Sequence, residues 1–148
     1  MAKIIEIGSA KGGVAKTTTT YNLAYVLKEM GHRVLAVDLD PQANLSICFG
    51  VEDTATVQVT IGHLLMNVID DEDLPETKEY IMSRNGVDFI PASIMLSAVE
   101  AKLRMEMGSE KMDSDFDILY NYLECNQDYG YNGCYGNQYI PDNSLECN

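Results

Sequence analysis

A loop with two glycines and two lysines, residues 11–18 (KGGVAKTT), stands between two segments of regular apolar pattern. The short apolar run at 3–8 predicts a buried β-strand, and residues 17–30 carry apolar side chains at helical spacing. Gly31 follows them, in the position where glycine commonly ends a helix. Backbone N–H groups and the helix dipole converge on an anion at such a loop. The order of strand, loop and helix therefore predicts an α/β fold with a phosphate-binding loop.

The side chains of this loop suit a nucleotide and its metal ion. Lys16 can reach the β- and γ-phosphates, and the Thr17 hydroxyl can bind Mg²⁺. The strict pattern G-x-x-x-x-G-K-[ST] is not met, because Ala10 and Ala15 occupy the outer glycine positions. We interpret the loop as a variant in which Ala15 has a negative φ; the alternative is a glycine-rich turn with incidental lysines. The predicted nucleotide-binding residues are Lys11, Gly12, Gly13, Val14, Ala15, Lys16, Thr17 and Thr18.

Two aspartates follow the second apolar run of the chain. Asp38 ends that run, and ligands bind at the carboxyl ends of parallel strands in open α/β sheets. Asp40 stands two residues later in a loop that Pro41 restricts. The alternative is a pair of acidic residues in a solvated turn. With the phosphate-binding loop upstream, we favour a functional role for both carboxylates.

These motifs resemble the ParA/MinD family of deviant Walker A ATPases, whose loop has the pattern K-G-G-x-x-K-[ST]. The similarity continues through residues 17–24 and 31–45, where VDLDPQAN is similar to the V-D-x-D-P-Q-G-N of the ParA (Soj-like) branch. The segments at 90–92 and 96–100 are also similar to ParA proteins. The resemblance covers residues 1–124, about half of a typical member, and implies a P-loop fold with a mainly parallel sheet flanked by helices.

The resemblance also implies residue roles and partners. Lys11 matches the lysine that crosses a dimer interface to the partner's phosphates, and Gly12 matches the glycine that lets the two loops approach. Asp38 matches the carboxylate near Mg²⁺, and Asp40 the one that positions the attacking water. The implied catalytic residues are thus Lys11 and Asp40, and the metal residues Thr17 and Asp38. The implied cofactors are ATP and Mg²⁺, and the implied partners are a second copy in an ATP-dependent homodimer, a ParB-like activator and non-specific DNA.

Composition bounds these expectations. The 148 residues, 46% of them apolar, suffice for one domain with a real core. No targeting segment or membrane span is evident, so we predict a cytoplasmic protein with no membrane partner. The net charge of −13, with no lysine or arginine after Lys111, opposes binding to DNA phosphates. None of the four cysteines forms a C-x-x-C pair, so reduced thiols are expected.

The remaining periodicity predicts further elements of a β/α alternation. A helix is expected from Thr60, and a tight turn at 85–86 before a strand at 87–90. Ser97 and Glu100 have the spacing of a capping box, which predicts a helix that starts there and ends near residue 108. Another helix is expected from about Ser109.

The tail departs from the family pattern. From Cys125 onward the sequence is rich in Tyr, Asn, Gly and Cys, and residues 128–134 lack the aliphatic run of the family's next buried strand. Central parallel strands need such runs, so we predict that this segment forms none and that the fold is incomplete at the C-terminus. We therefore divide the chain into a ParA-type domain at 1–124 and a divergent tail at 125–148. A frameshift or early termination is one hypothesis for the tail; a natural, partly disordered tail is the alternative.

Three functions follow from these observations. The first is a ParA-type ATPase of chromosome or plasmid partitioning that binds MgATP and dimerises with it. The second is a truncated, catalytically impaired nucleotide-binding remnant. The third, a MinD-like membrane-positioning ATPase, needs a basic amphipathic helix at the C-terminus, and Asp40-Pro41-Gln42 favours ParA instead.

Overall fold

The structure is a computed structural model that describes residues 3–9, 11–107 and 132–137. These residues form five β-strands, five α-helices and one 3₁₀ turn at Thr54–Thr56. The elements are β1 Ile4–Gly8, α1 Lys16–Glu29, β2 Val34–Asp38, α2 Asn44–Cys48, α3 Ile61–Ile69, α4 Thr77–Tyr80, β3 Met82–Arg84, β4 Val87–Ile90, α5 Met95–Met107 and β5 Asn132–Asn137.

The strands form one sheet in the order β1-β5-β2-β4-β3. The first four strands of that order are mutually parallel, and β3 pairs antiparallel to β4. The hairpin between β3 and β4 turns at Asn85 and Gly86, whose φ values of 50° and 79° suit the turn that joins twisted strands closely. The expected α/β fold with a mainly parallel sheet is confirmed, and so is the turn at 85–86.

Strand β2 is the centre of the core, since all five of its residues are buried. Its side chains alternate between the two faces of the sheet, as strand geometry requires. Leu35 and Val37 belong to a cluster with residues of α3 and α5, whereas Val34 and Ala36 belong to a cluster with residues of α1 and α2. Helices therefore cover both faces, and this explains the continuous apolar run of this strand.

The helix after β4 begins earlier than the sequence predicted. Helix α5 starts at Met95, so Ser97 lies inside its first turn and is not the N-terminal cap of a capping box. Ser93 lies at the start instead: its hydroxyl accepts a hydrogen bond from the Met95 N–H at 3.4 Å, and its carbonyl accepts one from the Leu96 N–H at 3.0 Å. Ser93 does not have the capping-box spacing, because Leu96 and not a glutamate stands three residues after it.

The prediction that the tail supplies no central strand is wrong for residues 132–137. Strand β5 lies between β1 and β2 and pairs parallel to both. Sheet pairing uses backbone N–H and C=O groups, which every residue of this segment has because it contains no proline. The helix predicted from about Ser109 and the domain boundary at 124 fall outside the described residues.

The described helices are short, and α1 is the longest at 14 residues. Among the residues that the structure describes, no helix combines the length and the apolar character needed to cross a bilayer.

An aromatic cluster lies in the core on the face of the sheet that α1 and α2 cover. The rings of Phe49 and Phe89 are parallel within 14° with centroids 4.7 Å apart, and the Tyr21 ring lies 5.1 Å from Phe49. Phe49 is only 2% exposed. We expect Phe49→Ala to lower the free energy of unfolding by about 3–5 kcal/mol, because it leaves a cavity in this cluster. Urea unfolding of the purified chain measures the change.

The matched control is Ile47→Ala, two residues earlier at a side chain that is 53% exposed. It should change the unfolding free energy by less than about 0.5 kcal/mol. Equal effects of the two substitutions would contradict the assignment of Phe49 to the core.

Candidate functional site

Two loops leave the same edge of the sheet. Strand β1 ends at Gly8, which is level with Asn137 of β5, and β2 ends at Asp38, which is level with Gly136. One strand separates them, so their ends lie about 10 Å apart, twice the spacing between neighbouring strands. The carboxyl ends of parallel strands are where open α/β sheets bind ligands. The loop at 11–15 and the turn at 39–43 therefore border one crevice.

In the first loop, the side chain of the second lysine, Lys16, forms hydrogen bonds with the backbone at the start of the loop. The Lys16 ammonium donates hydrogen bonds to the carbonyl of Ser9 at 3.2 Å and to that of Lys11 at 3.4 Å. The Lys11 N–H donates to the Ser9 hydroxyl at 3.2 Å. The positive charge of Lys16 is thus held against the start of the loop by two backbone carbonyls. The side chain of Lys11 itself is exposed and lies on the solvent side of the loop.

The two glycines of the loop have free space beside them. A Cβ atom added to Gly12 or Gly13 would meet no atom within 4 Å, so space lies above both residues, and Gly13 has a φ of +71° that favours glycine. The first hydrogen bond of α1 runs from the Thr19 N–H to the Ala15 carbonyl at 2.8 Å. Helix geometry leaves the preceding N–H groups for an anion. Those groups belong to Lys16, Thr17 and Thr18, the first turn of the helix.

Ala15 departs from its predicted conformation. It precedes α1 with a φ of 62° and a ψ of 23°, in the left-handed region, so the expected negative φ is wrong. An alanine in that region is less stable than a glycine by about 1–2 kcal/mol, because its Cβ approaches the following carbonyl oxygen. Ala15 therefore has the backbone conformation that the strict motif assigns to glycine. This strained residue joins the loop to the N-terminus of α1.

The carboxylate of Asp38 lies almost wholly inside the protein, with 2% of the residue exposed. Its Oδ2 accepts hydrogen bonds from the Ser46 hydroxyl at 2.7 Å and the Ser46 N–H at 2.8 Å, and its Oδ1 accepts one from the Asp40 N–H at 3.2 Å. Burial raises the pKa of Asp38 above its ordinary value, although these hydrogen bonds oppose the shift. A cation at the crevice would offset the unfavourable burial of this charge.

Asp40 is half-buried and holds the turn that follows β2. Its Oδ1 accepts a hydrogen bond from the Gln42 N–H at 2.9 Å, and its carbonyl accepts one from the Ala43 N–H at 2.8 Å. This turn leads directly into helix α2, an element that the sequence did not predict. The side chain of Asp40 is therefore fixed by its own turn beside the end of β2.

Sequence reasoning missed Ser46, which is buried and donates twice to Asp38. The contact spans eight residues and depends on α2, so no local spacing indicated it. A serine between the apolar residues Leu45 and Ile47 was the sole signal. All the sequence-predicted residues nevertheless lie in the two segments at this edge, with Lys11 through Thr18 on one segment and Asp38 and Asp40 on the other.

The donor set suits a magnesium nucleotide. The Thr17 hydroxyl and the Asp38 carboxylate are hard oxygen ligands, which Mg²⁺ prefers. The Lys16 ammonium and the N–H groups at the start of α1 suit phosphate oxygens. The open space above Gly12 and Gly13 leaves room for them. Fold and site together define a P-loop nucleotide-binding protein.

Comparison with known proteins identifies the family. A profile described as an AAA domain matches residues 2–131. The sporulation initiation inhibitor protein Soj of Bacillus subtilis is 36% identical over 133 residues, which cover 84% of this chain and 50% of Soj. The chain belongs to the ParA/MinD family of ATPases, on its ParA side, as its motifs predicted.

Two solved structures share the fold. Cobyrinic acid a,c-diamide synthase of Mycobacterium smegmatis, with bound ATP analog and magnesium, matches with a TM-score of 0.75 at 29% identity and covers 94% of this chain and 52% of the synthase. The septum site-determining protein MinD of Pyrococcus horikoshii, complexed with Mg-ADP, matches with a TM-score of 0.61 at 27% identity, covering 92% and 48%. The chain spans about half the length of these relatives.

The conformation of Ala15 predicts a stabilising substitution. Ala15→Gly should raise the free energy of unfolding of the nucleotide-free chain by about 1 kcal/mol, because it removes the left-handed strain. Chemical denaturation measures this difference.

The control is the same substitution at Ala24, inside helix α1, where the residue is 0% exposed. In a helix interior the exchange lowers stability by about 1 kcal/mol, so Ala24→Gly should act in the opposite direction. A loss of stability at both positions would contradict the backbone conformation described for Ala15.

Proposed function

We propose that this chain binds MgATP and acts as a ParA-type ATPase of chromosome or plasmid partitioning that dimerises when nucleotide is bound. The observation that carries the proposal is the arrangement at the sheet edge. A two-lysine loop at the start of a helix lies one strand away from a buried carboxylate, as a triphosphate and its metal ion require. Family membership supports the same function, and so do the nucleotides held by the structural relatives.

Each residue of the site has a proposed role. The N–H groups of the loop and the ammonium of Lys16 bind the phosphates, and hydrogen bonds to charged oxygens are the strongest that such groups form. Thr17 and Asp38 hold Mg²⁺, which neutralises phosphate charge when it is bound. Asp40 orients the attacking water, since its carboxylate is fixed beside the end of β2 by the Gln42 N–H.

Lys11 has a proposed role in a second molecule. Its side chain is exposed on the solvent side of the loop, whereas Lys16 points back over the loop. An exposed lysine at this position suits contact with the phosphates of a facing copy, where it adds positive charge as the transition state develops. Gly12 has no side chain that would keep two such loops apart. Catalysis in this proposal needs a homodimer.

The proposed partners differ in their physical support. A ParB-like activator is compatible with the chain because protein contacts do not require a basic surface. Non-specific DNA binding depends on lysines and arginines that neutralise phosphates. The chain has 10 such residues against 23 acidic ones, so its charge opposes DNA binding by this portion.

A second candidate is a nucleotide-binding remnant that does not turn over ATP. It is favoured by one observation, namely that Ala15 has a left-handed backbone at the position where the strict motif has glycine. Release of phosphate from ATP at saturating Mg²⁺ separates the two. Binding without release would support the remnant, and release that requires Asp40 would support the ATPase.

Nucleotide binding is tested by Lys16→Ala. At an ATP concentration of 100 times the dissociation constant, MgATP should stabilise the wild-type chain by about 2.7 kcal/mol. Lys16→Ala should lose that stabilisation, because the loop charge that faces the phosphates is gone. Thermal and chemical denaturation with and without MgATP measure the effect.

Lys28→Ala is the control, at a partly exposed lysine near the other end of α1 that pairs with Glu29 at 2.9 Å. It should keep the full response to MgATP. An unchanged response in Lys16→Ala would remove the basis of the proposal.

Dimerisation is tested separately by Lys11→Ala. Because Lys11 is proposed to act on the facing copy, ATP affinity should stay within about threefold of wild type while dimer formation weakens by about tenfold or more, the loss of a charge-assisted hydrogen bond. Sedimentation velocity with a non-hydrolysable ATP analogue measures the dimer fraction. A loss of nucleotide affinity equal to that of Lys16→Ala would place Lys11 in its own site and contradict the role in the partner.

A further inference from the structure

Ser46 is fully buried on α2 and joins two parts of the sheet edge. Its hydroxyl lies 2.7 Å from Asp38 Oδ2 and 3.0 Å from the backbone nitrogen of Ala92, just after β4. Its own N–H donates to the same Asp38 oxygen at 2.8 Å. This one residue therefore connects the end of β2 to the segment that follows β4.

The direction of both hydroxyl bonds is determined by chemistry. The Ala92 N–H can only donate, so the Ser46 oxygen accepts from it. A hydroxyl has a single proton, and that proton is then left for Asp38. Ala92 is itself 0% exposed, and the carbonyl of the preceding Pro91 accepts a hydrogen bond from the Ile61 N–H at 2.9 Å. Ser46 is thus held by packed backbone that belongs to neither loop of the nucleotide site.

The hydrogen bonds divide unequally between the two oxygens of Asp38. Oδ2 accepts two, both from Ser46, and these use the two lone pairs of that oxygen. Oδ1 accepts one bond, from the Asp40 N–H at 3.2 Å. One lone pair of Oδ1 is therefore the part of this carboxylate with capacity for a further ligand.

We propose that Ser46 is a positioning residue for the magnesium ion. It saturates Oδ2 and so turns Oδ1 of Asp38 toward the cation or its water shell. The same contact closes the segment from Asp38 to Ser46, which contains the turn of Asp40. This inference rests on the proposed binding of MgATP. It adds that the metal requirement depends on a serine hydroxyl that touches neither nucleotide nor metal.

The test compares the Mg²⁺ dependence of ATP binding in Ser46→Ala and wild type. ATP affinity is measured by calorimetry over a Mg²⁺ titration and in EDTA. Loss of a residue that orients a metal ligand typically weakens metal affinity by about 10–100-fold. In Ser46→Ala we expect half-saturation by Mg²⁺ to rise by at least about tenfold, with the affinity for metal-free ATP within about twofold of wild type. Ser46→Thr, which keeps the hydroxyl, should restore the wild-type titration.

Ser93→Ala is the matched control for the removal of a buried hydroxyl. Ser93 is 6% exposed, lies next to Ala92 and bonds to the Thr60 hydroxyl at 3.2 Å, with no bond to Asp38. It should leave the Mg²⁺ titration unchanged. If Ser46→Ala does not fold, Ser46→Cys preserves volume with a weaker donor and should shift half-saturation in the same direction.

The possible results separate the two proposals. Wild-type Mg²⁺ dependence in both Ser46→Ala and Ser46→Cys overturns the positioning role while ATP binding stands. An equal shift in Ser93→Ala also overturns it, since the effect would then come from loss of packing. A wild-type chain that binds no ATP, with or without Mg²⁺, overturns the proposed function and this inference together.

Discussion

The buried carboxylate of Asp38 is the constraint on which this sheet edge depends. It ends a strand whose residues are all buried, and only 2% of Asp38 is exposed to water. A carboxylate in such a place needs donors from the protein, and a lone one would be strongly unfavourable. The following chain supplies them by turning back at residues 40–43 and bringing Ser46 to it. The turn and the first turn of helix α2 therefore supply the hydrogen bonds that the carboxylate at the end of β2 needs.

Local patterns predicted the elements whose formation depends on neighbouring residues. The apolar runs gave β1, β2 and β4, and the helical spacing after the loop gave α1, each within a few residues. The motif also predicted that strand, glycine loop and helix follow one another, and the structure has β1, the loop and α1 in that order. Such patterns extend over a short stretch of sequence, so they indicate structure that depends on contacts between neighbouring residues.

What the sequence could not indicate are the features decided by distant contacts. Ser46 contacts Asp38 across a turn and Ala92 across 46 residues of sequence. No local sequence pattern indicates either contact. Ala15 has a left-handed backbone although it is not a glycine, so its residue type did not indicate this conformation. Helix α5 starts at Met95, two residues before the predicted Ser97, and β5 is defined by backbone pairing to β1 and β2 and not by its composition. In each case a tertiary contact overrides or replaces the local preference.

Helices α1 and α2 both begin beside the site and have similar N-termini, but they differ in what accepts their first-turn N–H groups. Both follow an alanine in the left-handed region, Ala15 with φ 62° and Ala43 with φ 54°, and neither alanine has a side chain that can cap its helix. At α2 the protein supplies the missing acceptor itself, because Asp38 receives the N–H of Ser46 in the first turn. At α1 the Lys16 ammonium is held nearby by carbonyls, and the first helical hydrogen bond is donated by the Thr19 N–H. The first-turn N–H groups of α1 are thus the ones that the proposed function assigns to phosphate, whereas at α2 the protein's own carboxylate accepts such a group.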